Sequence, residues 1–190
     1  MRALKADTFR TFGRFSWWLV FKGVMSLPGF RVVVTMRCCQ EAQRLSPNIR
    51  WLFFTLARMM HRFASFLAGV EFPWNTIVAP GLALTHARGI VVNSRTTIGR
   101  NVTLFHGVTL GQRDQVLSDG SRLSHCPIIG DDVWIGPHAI VVGGVTVGRG
   151  SRIAAGAFVF EDIPSRSLVM GNPAKIVKTN CKPDVGNRVE

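Results

Sequence analysis

The chain predicts a mainly β fold: a parallel β-helix of hexapeptide repeats with an N-terminal α-helical region. Three observations carry this reading. From Ile129 the sequence repeats in sixes, as IGDDVW, IGPHAI, VVGGVT, VGRGSR, IAAGAF and VFEDIP, and every unit opens on Ile or Val. The same phase occurs earlier in VNSRTT, IGRNVT and LFHGVT, ending at Leu110-Gly111. Before Gly69 the pattern is different, with long apolar and basic stretches interrupted at Pro28-Gly29 and Ser46-Pro47. A fixed short period defines a repeat fold more firmly than any single motif does.

The first third reads as three amphipathic helices over residues 8–26, 30–44 and 48–69, because proline and glycine stop helices at the two breaks. Residues 1–70 hold eleven Lys or Arg against two acids, a net charge of +9 out of +12 for the whole chain. Basic segments commonly meet nucleic acid. Here the charges alternate with Trp17, Trp18, Phe21, Phe30, Trp51, Phe53 and Phe54, a mixture that suits an anionic membrane surface, and no nucleic-acid partner is expected. Lys22, Pro28-Gly29, Arg31 and Arg37 break the apolar runs, so none reaches the roughly 20 residues of a spanning helix. No signal-peptide pattern fits the start. The expected location is cytoplasmic, with peripheral contact at the inner face of the cytoplasmic membrane.

An aliphatic residue every sixth position, with small residues where the chain bends, suits short parallel strands wound as a triangular prism. Three hexads make one coil, and each coil covers the apolar face of the next. The nineteen-residue gap from Leu110 to Ile129 has no hexad pattern and carries a central Asp-Gly turn. It reads as a loop extruded over 112–127, and long polar loops on a regular scaffold usually carry function. The organisation is therefore a basic helical region at 1–70, a β-helix at 71–178 and a tail at 179–190, with a cap expected from Pro164 onward. Cys38, Cys39, Cys126 and Cys181 lack CxxC spacing. They read as reduced thiols, and no metal site is implied.

The hexads, GVTLG, IGDDVWIG and the closing GNPAKIVK resemble the hexapeptide-repeat acyltransferases, and LPGFRVVVTMR, the helix before GVEF and THARGIVV follow the serine acetyltransferase-like branch in order. The resemblance covers roughly residues 23–178. It implies a left-handed parallel β-helix, a homotrimer, and acetyl-CoA as the acetyl donor without a metal. It also places the branch's general base at His86, a role that suits a neutral imidazole near pH 7, with Glu71, fifteen residues earlier, orienting it.

On the acceptor side the branch carries an aspartate before that histidine and a second histidine before the proline after the loop, where this chain has Thr85 and Cys126. Charge-assisted hydrogen bonds are worth about 1.5–3 kcal/mol each, so their loss argues against a zwitterionic amino acid. Thr85, His106 and the cysteine before Pro127 resemble the colanic-acid and capsular polysaccharide O-acetyltransferases instead. The resulting expectation is acetylation of a sugar hydroxyl on a bacterial surface polysaccharide, hence a carbohydrate acceptor partner. Serine O-acetylation in a rebuilt pocket and a non-catalytic β-helix scaffold are the alternatives. His106, third in its hexad, points outward to a cleft between subunits, where it binds acceptor, assists the base or packs at the interface. His125 on the loop is a weaker acceptor contact, and His138 reads as a surface residue. For the donor, Gly111, Gly136 and Ala155 repeat along one side of the prism, leaving room for a pantetheine arm. Trp134 offers an apolar platform, and Lys175 and Lys178 could meet the nucleotide phosphates.

Overall fold

The computed structural model describes residues 1–190. Four helices come first: α1 (Arg2–Phe12), α2 (Trp17–Ser26), α3 (Pro28–Ala42) and α4 (Pro47–Ala68). The single helix expected over 8–26 is two, and the first begins earlier. Gly13, at φ 72°, closes α1 in the left-handed conformation that glycine adopts without a Cβ penalty. The Ser16 hydroxyl then accepts from the Leu19 N–H at 3.3 Å and starts α2 afresh. Pro28 and Pro47 sit in the first turns of α3 and α4, where a missing N–H costs nothing.

The rest winds as a three-faced coil. Face one holds β1 (Ile77–Val78), β4 (Thr97–Ile98), β9 (Ile128–Ile129) and β12 (Thr146–Val147). Face two holds β2 (Ala83–Thr85), β5 (Thr103–Phe105), β10 (Trp134–Ile135), β13 (Arg152–Ile153), β15 (Leu168–Met170) and β16 (Lys175–Lys178). Face three holds β3 (Val91–Val92), β6 (Thr109–Gly111), β11 (Ile140–Val142) and β14 (Phe158–Val159). Neighbouring coils pair in parallel, and only β16 turns back antiparallel on β15. The segment at 112–127 forms a separate antiparallel hairpin of β7 (Arg113–Val116) and β8 (Arg122–His125), leaving the prism between β6 and β9.

Hexad-opening side chains fill the interior. Val92, Ile98, Leu104, Leu110, Ile129, Ile135, Val141, Val147, Ile153 and Val159 are all at most 1% exposed. The fifth places, Val102, Val108, Val133, Ala139 and Ala157, are equally buried. The coil starts ahead of the visible repeat, with Phe72 and Leu82 in the same core and Glu71 bridged in parallel to Val91.

Two buried polar joints seat the helices on the coil. Asp7 of α1 accepts from Arg37 Nε at 2.8 Å and from the N–H groups of Gly81 and Leu82 at 2.8 and 3.0 Å. Arg37 also donates to the Val78 and Ala79 carbonyls, both at 2.8 Å. His61 of α4 donates from Nε2 to the Phe72 carbonyl at 2.7 Å, leaving Nδ1 to accept from the Thr35 hydroxyl at 3.0 Å.

Residues 181–190 run back over the coil. Arg188 meets Asp132 at 2.8 Å, Val189 and Asn101 bond through N–H and amide groups, and Asn187 donates to the Arg10 carbonyl. The outer surfaces of α2 and α4 are apolar and open, but no helix is long and apolar enough to cross a membrane.

Candidate functional site

Three histidines gather at the corner where face two turns into face three. His86 follows β2, His106 follows β5, and His138 lies in the turn between β10 and β11. The His86 and His106 rings meet edge to face with centroids 6.3 Å apart, and His106 and His138 do so at 5.0 Å. His86 is exposed and makes no side-chain hydrogen bond, whereas His106 is half-buried with its Nδ1 enclosed and unpartnered. From the sequence His138 reads as a simple surface residue. It is exposed, yet its ring closes the row, a placement that needs the parallel register of successive coils to be seen.

His86 has φ 51°, a left-handed conformation uncommon outside glycine. The prism itself asks for such corners: Asn101 and Asp132 adopt φ 55° and 59° at others, and those residue types tolerate it best. At His86 the corner holds a residue with an unpartnered imidazole in the lining of a cavity of about 710 Å³. That cavity lies between face two, the end of α1, the start of α3, the end of α4 and the tail, and Thr85 lines it beside His86. Gly29 permits the closeness of α3, since a Cβ there would stand 2.4 Å from the Leu84 carbonyl oxygen.

The other residues singled out from the sequence divide between corners. Glu71 is exposed, its backbone paired with Ile90 and Val92, and no hydrogen bond or ion pair joins it to His86. His125 and Cys126 end the hairpin at the opposite corner, beside a smaller cavity of about 460 Å³ shared with Arg113 and Phe160. Within one chain they do not meet His86, because a prism separates its corners. Gly111 ends β6 opposite Val142 on the hairpin's corner, whereas Gly136 and Ala155 follow β10 and β13 at the histidine corner. These three residues therefore do not share one side, as the sequence had suggested. Leu110 and Gly111 open a face-three hexad, one face on from the hexads of Ile135 and Ile153 that carry Gly136 and Ala155. A Cβ on Gly136 would meet the Trp134 ring at 2.8 Å and Ala155 N at 2.9 Å, so coil packing alone requires glycine there. Trp134 meets Phe105 in a tilted ring contact at 5.0 Å and lies under Arg152 at 5.9 Å. Strand register continues this row from Arg152 through Leu168 to Lys178, and both Lys178 and Lys175 are exposed.

Comparison with known proteins gives this architecture a family. The model of the bacterial transferase hexapeptide (six repeats) matches residues 126–161. A serine acetyltransferase of Bacillus subtilis is 38% identical over 130 residues, 68% of this chain and 58% of that protein. One from Helicobacter pylori is 36% identical over 125 residues, 66% of this chain and 70% of the relative. The chain thus spans under two thirds of the Bacillus protein's length. Among solved structures, a Brucella abortus serine acetyltransferase in complex with coenzyme A aligns with TM-score 0.74 and 28% identity, over 95% of this chain and 69% of that one. A Neisseria gonorrhoeae serine acetyltransferase in complex with serine gives TM-score 0.69 and 30% identity over 92% and 67%.

These likenesses overturn the expectation of a capsular or exopolysaccharide acceptor. That expectation rested on side chains at Thr85, His106 and Cys126, and agreement along more than 120 residues outweighs them. From helices through coil to the closing strand pair, the chain belongs to the serine acetyltransferase family of hexapeptide-repeat transferases.

Proposed function

We propose that the protein transfers the acetyl group of acetyl-CoA to the hydroxyl of serine, with His86 as general base. The observation that carries this reading is the exposed, unpartnered His86 imidazole, held at a coil corner and opening into a cavity. In the proposed step His86 takes the hydroxyl proton as the oxygen attacks the thioester carbonyl. The tetrahedral intermediate collapses, the C–S bond breaks, and the imidazolium returns its proton to the departing thiolate, giving O-acetylserine and free CoA. Such a base contributes about 10²–10⁴-fold. His106, in ring contact with His86, limits its rotation, and Glu71 is assigned to orienting it in the assembled protein.

The acetyl donor fits the residues present. Ala155 is small and exposed, the row from Trp134 to Lys178 offers an apolar platform ending in a cation, and Lys175 is a second free cation for phosphates. The reading also has the protein working as a trimer, in which one copy's hairpin corner, with His125, Cys126 and Gly111, meets the next copy's histidine corner. The apolar face of α2 and α4, interleaved with Lys22, Arg58 and Arg62, is assigned to an anionic membrane surface.

Thiol release from acetyl-CoA with L-serine tests the proposal. His86→Ala should lower turnover by about 10²–10⁴-fold with the fold intact, and Glu71→Gln by less. Installing Thr85→Asp with Cys126→His should lower the KM for serine, because each charge-assisted bond is worth about 1.5–3 kcal/mol. Thiol release in the His86 variant at the unmodified rate would remove the mechanism. No serine-dependent release from the unmodified protein would remove the acceptor.

A further inference from the structure

We propose that the far end of the 710 Å³ cavity, at Arg10, is a binding site for an organic anion: a carboxylate or phosphate carried on a flat apolar body. Arg10 is only 8% exposed. Its guanidinium donates to the Gly186 carbonyl and to the Thr103 hydroxyl at 2.7 Å, both neutral acceptors, and its Nε has no partner. No carboxylate pairs with it. The nearby acids are already engaged, Asp184 by Arg152 and Asp132 by Arg149, Arg188 and Asn101. A buried charge is normally paired, and here no carboxylate bonds to Arg10: Asp184 also lines the cavity but is held by Arg152, and it and Asp132 act on Arg10 only through space. Burial also holds Arg10 below its ordinary pKa, the response of a cation short of solvation.

The walls define the rest of the ligand. Phe30, Leu82, Phe105 and Trp134 line the cavity, with the Phe105 and Trp134 rings 5.0 Å apart, so the body that fits is apolar and ring-sized. Position separates this site from the proposed base. Arg10 is fastened to Thr103, whose strand partner is Ala83, and His86 lies three residues further along. At a strand rise of about 3.3 Å per residue that is roughly 10 Å. Serine, whose hydroxyl-bearing β-carbon and carboxylate carbon flank the α-carbon, cannot span it. The anion site therefore stands whether or not His86 acts on serine.

Calorimetric titration of the full chain, without acetyl-CoA or serine, tests the site with four probes: 2-naphthoate, 2-naphthyl phosphate, inorganic phosphate and the neutral 2-naphthol. One naphthyl anion should bind per chain, with 2-naphthol at least tenfold weaker and inorganic phosphate weaker still. A preference between naphthoate and naphthyl phosphate assigns the anion as carboxylate or phosphate. Arg10→Gln should weaken the naphthyl anions by tenfold or more and leave 2-naphthol unchanged. Equal affinity for 2-naphthol and the anions, no binding by the unmodified protein, or unmodified affinity in the folded Arg10 variant would each overturn the proposal. The comparison of charged and neutral probes on the unmodified protein decides the matter even if Arg10→Gln fails to fold.

Discussion

In the coil, ten hexad-opening aliphatic side chains are at most 1% exposed, whereas on α4 alone Trp51, Leu52, Phe53, Leu56, Met59, Met60, Phe63 and Phe66 are half or more exposed. Both regions are rich in apolar residues, and they spend them differently. A coil turns every hexad inward, and its neighbours above and below finish the burial, so one chain completes its own core. A helix has faces all round. α4 seats Ala57, His61, Ala64 and Ala68 against α3 and the first coil, and the larger side chains on its other surface have no partner in this chain. Contiguous exposed apolar surface of this kind marks an interaction site. The coil completes its core within the single chain, and the helical layer leaves apolar surface open.

The sharpest way to break that contrast is to cut into the coil. Ile135→Ala, at 0% exposure between Leu104 and Ile153, should destabilise the protein by about 2–5 kcal/mol, read from denaturant unfolding. A loss below about 1 kcal/mol would mean the stack relaxes locally and is not one continuous core. A smaller effect is expected at the joint of the two regions. His61 is 4% exposed, and its burial pushes its pKa below the ordinary value. The unfolded chain then binds the extra proton, so stability is full above about pH 6.5 and falls as pH drops through the folded-state value. His61→Gln should flatten that dependence, and an unchanged slope between pH 7 and 5 would assign it elsewhere. The least effect on stability is expected on the open helix face. Trp51→Ser with Phe66→Ser should shift unfolding by about 0.5 kcal/mol per site or less, yet reduce co-sedimentation with anionic vesicles at low salt. Failure of the unmodified protein to sediment with those vesicles would exclude the membrane assignment.

The hexads announced the coil because an aliphatic period of six has few other structural uses, and the buried Ile, Val and Leu positions follow that phase from Val92 to Val159. The coil before Val92 was less legible. Its core is filled by Phe72, Leu82 and Ile90 at irregular spacing, and its edges are held by bonds such as Glu71 N–H to the Ile90 carbonyl. The break at Gly13 is hidden in the sequence because apolar residues keep helical spacing across it. His86, Thr85 and His106 are legible through family likeness, but His138 and Arg10 are not. His138 becomes a neighbour of His106 only when coils stack, and Arg10 enters the cavity through a contact 93 residues away in sequence. The acceptor is not legible in Thr85, His106 and Cys126, because two or three side chains in a pocket say less about it than the likeness of the chain as a whole.

The tail has a consequence for the order in which the molecule assembles. Each coil can form against the one just made, a local event in sequence. The Arg10 bond to Gly186 and the Asn187 bond to the Arg10 carbonyl instead join residues 176 and 177 positions apart. Closing so long a loop costs entropy before any contact repays it. During synthesis α1 can dock through Asp7 and Arg37 as soon as the first coil exists. Its side facing the cavity stays open until residues 184–187 have left the ribosome, so the cavity acquires that wall only after the whole coil has been made.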